Sequence, residues 1–246
     1  METTFRKQWP TGLTVLTVIA GAMLAASLAM IFLYAPMEQN MGWVQRIFYT
    51  HVGSAWAGAV GFVVAVVMAV LYLATRSRLW DVIGHASVEV GLALVTVGLV
   101  GGMVWGNQVW GVPWTWDPKL TSFAVMWLSY AAYLMLREGI EDPERRQRFA
   151  AVYAIVAVAT VLFTYLGVRL VETTLHPHVI GPSAATGEGD FGLSTRMVQT
   201  LIFAVVTWTV IYATLLWHRS RLRLLRDSVD QARANLIGGR SLAAGD

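Results

Sequence analysis

The chain has 246 residues, 56% of them hydrophobic and 13% charged, far below the quarter of charged residues usual in soluble domains. Its formal charge of +3 sits on basic residues that border apolar runs and form no separate basic domain, which argues against nucleic-acid binding. It contains no cysteine, which excludes disulfides, thiolate catalysis, iron–sulfur clusters, zinc–cysteine sites and the C-x-x-C-H motif of c-type cytochromes.

Six apolar stretches, at about 13–34, 50–74, 82–104, 120–136, 150–170 and 197–217, are each long enough to cross a bilayer as a helix. An all-α membrane protein is expected, a bundle of about six transmembrane helices with little room for a soluble domain. The first stretch follows Arg6 and Lys7, as a signal peptide would. Its apolar run is too long, however, and Tyr34-Ala35-Pro36 is no small-residue cleavage site, so a retained helix is expected.

The second stretch opens with His51 at its outer end. The third carries His85 and Glu89, four residues apart on one face, a pair that either satisfies itself or marks a proton path or an interface. Arginine and lysine cluster in alternate connections: Arg6, Lys7, Arg76, Arg78, Arg137, Arg145, Arg146 and Arg148, and then the arginines from Arg219 to Arg240. The opposite connections hold only Arg46, Lys119, Arg169 and Arg196. The positive-inside rule places both termini in the cytoplasm and segments 35–49, 105–119 and 171–196 outside.

Two parts follow: a six-helix transmembrane domain over 1–217 and a basic amphipathic cytoplasmic tail over 218–246. In the tail Leu222, Leu225, Val229, Ala232 and Leu236 recur at steps of three and four, an apolar helical stripe among arginines. It suits a helix lying on the anionic inner leaflet or one docking a cytoplasmic partner.

Between the third and fourth stretches lies Trp105-Gly-Asn-Gln-Val-Trp110-Gly-Val-Pro-Trp114-Thr-Trp116-Asp117-Pro118-Lys119-Leu120-Thr121, with four tryptophans in an outer loop. An aromatic belt at the membrane interface explains one or two such rings. A cluster spaced by Gly111 and Pro113 also suits a stacking platform for a large planar ligand, haem or a quinone. In an extended segment Trp114 and Trp116 would point the same way. Asp117 before Pro118 is the usual N-cap and first-turn pairing of a helix.

His51 and His176 come from separate outer segments, which suits the two axial ligands of a six-coordinate haem iron, one above the plane and one below. His178 is the weaker choice. Arg46, Lys119, Arg169 and Arg196 are the basic residues available for haem propionates, or else they snorkel to lipid phosphate.

These residues resemble the CcmC family of cytochrome c maturation. The segment Trp105-Gly106 … Trp110-Gly111 … Trp114-Thr115-Trp116-Asp117 … Leu120-Thr121-Ser122 resembles the family's WWD signature, shared with CcmF and CcsA proteins. Ala35-Pro36 with Arg46-Ile47-Phe48-Tyr49-Thr50-His51-Val52, and Thr174-Leu175-His176-Pro177, resemble the segments that carry its two haem-ligating histidines. Pro113-Trp114 stands where two adjacent tryptophans are usual, and Pro118-Lys119 where Ala-Arg is.

The resemblance implies haem b held transiently as cargo at the outer face of the cytoplasmic membrane. His51 and His176 would ligate the iron, and the ring would rest on Trp105, Trp110, Trp114, Trp116 and Asp117. It implies presentation to the haem chaperone CcmE, with the small membrane subunit CcmD and the CcmA–CcmB ABC transporter as partners. The activity implied is a haem transfer, lyase-like with CcmE, rather than conventional enzymology. A quinone- or metal-linked redox subunit and a permease are the other readings these residues allow.

Overall fold

The computed structural model describes residues 10–166, 176 and 193–243, the last seven by backbone alone. Its elements are α1 (Thr11–Ala29), a π-helical turn (Met30–Tyr34), a short 3-10 turn (Trp43–Gln45), α2 (Arg46–Thr75), α3 (Arg78–Trp110), α4 (Pro118–Gly139), α5 (Pro143–Tyr165) and α6 (Thr195–Ala243). Six helical spans are long and apolar enough to cross a membrane, and no strand occurs among the described residues. The expected helical membrane bundle is therefore what the chain forms.

α2 and α3 make the central hairpin, because their shared face is lined with small residues. Gly84, Gly91 and Gly98 recur every seventh residue of α3. A Cβ on Gly91 would come within 3.0 Å of the Gly58 carbonyl, and one on Gly98 within 3.0 Å of Ala55. Bundles in lipid gain mainly from such close backbone approach, since burying apolar surface offers little advantage there.

α6 packs against α2, α3 and α1, and α5 against α2 and α4. A core runs through Phe62, Val88, Val95, Met126, Tyr130 and Ala154. Phe62 and Tyr130 stack there with ring centres 3.5 Å apart and planes 4° from parallel.

Polar contacts tie the helices at fixed heights. Buried Ser87 donates to the Gly61 carbonyl at 2.6 Å and shares a 2.6 Å hydrogen bond with the Tyr212 hydroxyl, joining α3 to α2 and α6. Trp127 Nε1 donates to Thr96 Oγ1 at 2.8 Å, joining α4 to α3. Near the Arg78 end, buried Arg137 grips Asp81 through two bonds of 2.6 and 3.0 Å, and Arg78 adds a third at 2.6 Å.

Two details differ from the sequence expectation. Trp105 and Trp110 belong to α3, not to a loop. The helix stops only where Gly111 takes φ +75, a left-handed conformation that suits glycine. The connection to α4 is thus the short piece 111–117. His85 and Glu89 do not pair with each other alone: Arg219 and Arg223 of α6 both bind Glu89, and Arg223 lies 3.2 Å from His85 Nε2. α6 itself continues as one helix past 217 to Ala243.

Candidate functional site

At 33 residues α3 is about 50 Å long, against a hydrocarbon core of about 30 Å. The excess length carries Trp105 and Trp110 clear of the closely packed middle of the hairpin. On the antiparallel α2, His51 stands opposite Gly98, Gly101 and Gly102, and these glycines leave its imidazole room. A Cβ on Gly102 would meet His51 Cε1 at 2.7 Å.

His51 Nδ1 lies 2.6 Å from the Gly98 carbonyl oxygen. A carbonyl only accepts, so Nδ1 carries the proton and Nε2 is left with its lone pair. Metal-binding histidines use the same device, in which one nitrogen donates to a backbone carbonyl and so fixes the tautomer and the aim of the other.

His176 faces it, with ring centres 6.1 Å apart and planes inclined by 42°. Two metal–nitrogen bonds of about 2.1 Å on one atom, extended to the ring centres, span roughly 6.5 Å. The separation seen is close to that span, slightly shorter. Trp110 stands 6.4 Å from His176, and Trp105 meets Trp110 edge-to-face at 5.1 Å. His51, His176, Trp110 and Trp105 thus form one connected group. Among the described residues, the buried indole N–H groups of Trp105 and Trp114 meet no acceptor. A buried donor left orphaned is costly unless a ligand oxygen satisfies it.

Trp114 and Trp116 form a second pair, edge-to-face at 5.5 Å and 80°, so they do not present parallel faces. Trp114 is partly buried, whereas Trp116 is 75% exposed. Asp117 caps α4 as expected. Its Oδ1 accepts from the Lys119 and Leu120 N–H groups, and its Oδ2 accepts from Thr115 Oγ1 at 2.8 Å. Asp117 thereby fixes the angle at which the second tryptophan pair meets the helix.

The basic residues divide. Lys119 donates to the Thr164 carbonyl at 2.9 Å, lies over the Tyr165 ring, and stands within electrostatic range of His51. Arg46 sits over the Trp43 ring at 4.0 Å and donates to the Phe32 carbonyl, while Arg196 lies over Tyr34. The last two share the corner made by the end of the first span. Arg169 and His178 lie outside the described residues.

Sequence reasoning passed over Trp43, Gly98, Gly102 and Tyr165. The adjacent pair Gly101-Gly102 just before Trp105 was the available signal for a close approach. Trp43 and Tyr165 carried none, since their roles depend on which cations fold over them.

The model of the family described as heme exporter protein C matches residues 2–235 of this chain. The chain belongs to the CcmC family. It is similar to the heme exporter protein C of Rhodobacter capsulatus, 26% identical over 88% of this chain and 85% of that protein. It is likewise similar to that of Bradyrhizobium diazoefficiens, 29% identical over 79% of this chain and 72% of that one. A cytochrome c biogenesis protein CcsA from Synechococcus sp. (strain CC9605) is 40% identical over 106 residues, 43% of this chain and 34% of that protein.

Proposed function

We propose that this chain handles haem for cytochrome c maturation, holding it between His51 and His176 at the outer face of the inner membrane and delivering it to the chaperone CcmE. The observation that carries the reading is the facing imidazole pair, 6.1 Å apart, beside Trp110 and Trp105. The name of its heme exporter protein C relative points to the same cargo, and that of its CcsA relative to the same process, cytochrome c biogenesis.

Haem b is the substrate here, and each group has a task toward it. The Gly98 carbonyl aims His51 at the iron. His176, from a separate segment, closes the opposite side. Trp105 and Trp110 offer apolar contact to the ring plane, and the unpartnered Trp105 indole N–H is a donor for a propionate or another ligand oxygen. Lys119 stands within electrostatic range of His51. Arg46 and Arg196, with Arg169, are the further partners for propionates. The exposed Trp116 and its partner Trp114 line the edge where the chaperone would collect its cargo.

In this reading CcmD and the CcmA–CcmB transporter assemble with the chain. The arginine-rich ends of the helices face the cytoplasm, and His51 and the tryptophans face the periplasm. The function is tested by replacing the chromosomal gene and staining membranes for covalently bound haem. Wild type restores c-type cytochromes, whereas His51→Ala and Trp114→Ala/Trp116→Ala leave them strongly depleted although the protein accumulates normally. Full maturation in both variants would contradict the assignment.

A further inference from the structure

Beyond the bundle, α6 carries an apolar stripe that the described parts of the chain leave uncovered. Leu222, Leu225, Val229, Ala232 and Leu236 follow the three-and-four spacing of a coiled-coil seam. The four larger side chains of this seam are exposed. α6 is anchored by another side: Arg219 and Arg223 bind Glu89, and Asp227 receives Arg78 at 2.8 Å. At 100° per residue, the seam is centred about 140° around the helix from that anchoring line. Its membrane-proximal end opens into a groove of about 620 Å³ between α6 and α3, with Val90, Ala93, Leu215, Leu222 and Leu225 as apolar walls.

Reach and charge narrow what covers the seam. α6 has 49 residues in one unbroken helix, about 73 Å of length, more than twice the bilayer's hydrocarbon thickness. Asp227 is tied to Arg78, the first residue of α3, and the helices run antiparallel there. Everything after Asp227 therefore projects past the end of α3. A helix lying in the headgroup plane would have to bend near this point, and α6 does not break.

Of the positions flanking the seam, Arg226 and Arg233 are exposed, and none of these positions holds an acid. A second copy of the helix would set arginine against arginine, while acidic flanks would pair with Arg226 and Arg233. We propose that this seam docks an acidic amphipathic helix of a partner on the same side of the membrane, forming a short two-helix coiled coil.

The test uses the full chain in lipid nanodiscs and a fluorescent synthetic heptad peptide with a leucine seam and glutamate flanks. A twin peptide with lysine flanks is the control. The glutamate peptide should bind and the lysine peptide should not, and Leu225→Gln/Val229→Gln should weaken binding by about tenfold or more. Arg226→Glu/Arg233→Glu should reverse the preference, a result that a misfolded protein cannot give.

Since the chain has no cysteine, Leu236→Cys gives a single labelling site. Its probe should escape quenching by brominated anionic phospholipids. Equal binding of the two peptides, or none, would overturn the proposal. So would lipid quenching at 236, which indicates a membrane-lying helix, or cross-linking between copies at 236, which indicates self-pairing.

Discussion

His51 is constrained from two directions. The Gly98 carbonyl takes its Nδ1 proton, and the Gly101-Gly102 backbone offers a flat wall that no side chain interrupts. The imidazole cannot turn without losing a 2.6 Å hydrogen bond, nor shift without meeting α3. Gly102→Ala is therefore a sensitive probe, because the added methyl would sit 2.7 Å from Cε1 and push the ring off its aim. Overpacking of this kind costs about 1–3 kcal/mol; borne by the haem-bound state, it should lower affinity in a titration by about five- to a hundredfold. Far-UV circular dichroism should stay unchanged. Unaltered affinity would mean that the ring's position does not matter to binding.

The helices show what was readable from residue order and what was not. Apolar length located all six spans, and Asp117-Pro118 announced the start of α4 correctly, because both signals act locally. The end of α3 was misplaced because Trp105 and Trp110 resemble loop residues only by composition. Gly106 is tolerated inside a helix, and only the positive φ of Gly111 ends it. Glu89 illustrates a different limit: its partners Arg219 and Arg223 lie more than a hundred residues away, where spacing along the chain carries no information. The facing of His51 and His176 was inferred from chemistry, whereas the glycine wall behind His51 was visible only as an unexplained Gly101-Gly102.

The Asp81–Arg137 bridge between α3 and α4 gives a prediction about how the elements hold together. Both side chains are buried, at 3% and 6% exposure. Removing one leaves a buried charge, which costs about 3–5 kcal/mol. Arg78 also binds Asp81, so Arg137→Ala should fall near the lower end of that range. The double variant Asp81→Asn/Arg137→Met should recover most of the loss in thermal unfolding in detergent. A double variant as unstable as the single one would show that the bridge contributes more than neutralisation of its own charges.

Taken as a whole, the chain has two chemically different ends. One gathers His51, His176, Trp105 and Trp110; the other gathers Asp81, Arg137, Glu89 and the arginines of α6 from Arg219 onward. The excess of arginine at the second end predicts that it faces the cytoplasm. Single cysteines introduced at Val112 and at Leu236 should therefore react with a membrane-impermeant maleimide from opposite sides of the inner membrane, Val112 from the periplasm. Labelling of Leu236 from the periplasm would invert the topology and contradict the proposed outer haem site.

The pairing of His51 with His176 on one iron is tested most directly by the optical and electron paramagnetic resonance spectra of the purified protein loaded with haemin. Wild type should show a sharp Soret band and the low-spin signature of two histidine ligands. His51→Ala and His176→Ala should each turn the iron high-spin and weaken retention, with added imidazole restoring the low-spin form. A low-spin spectrum left unchanged by either replacement would show that the iron is held elsewhere.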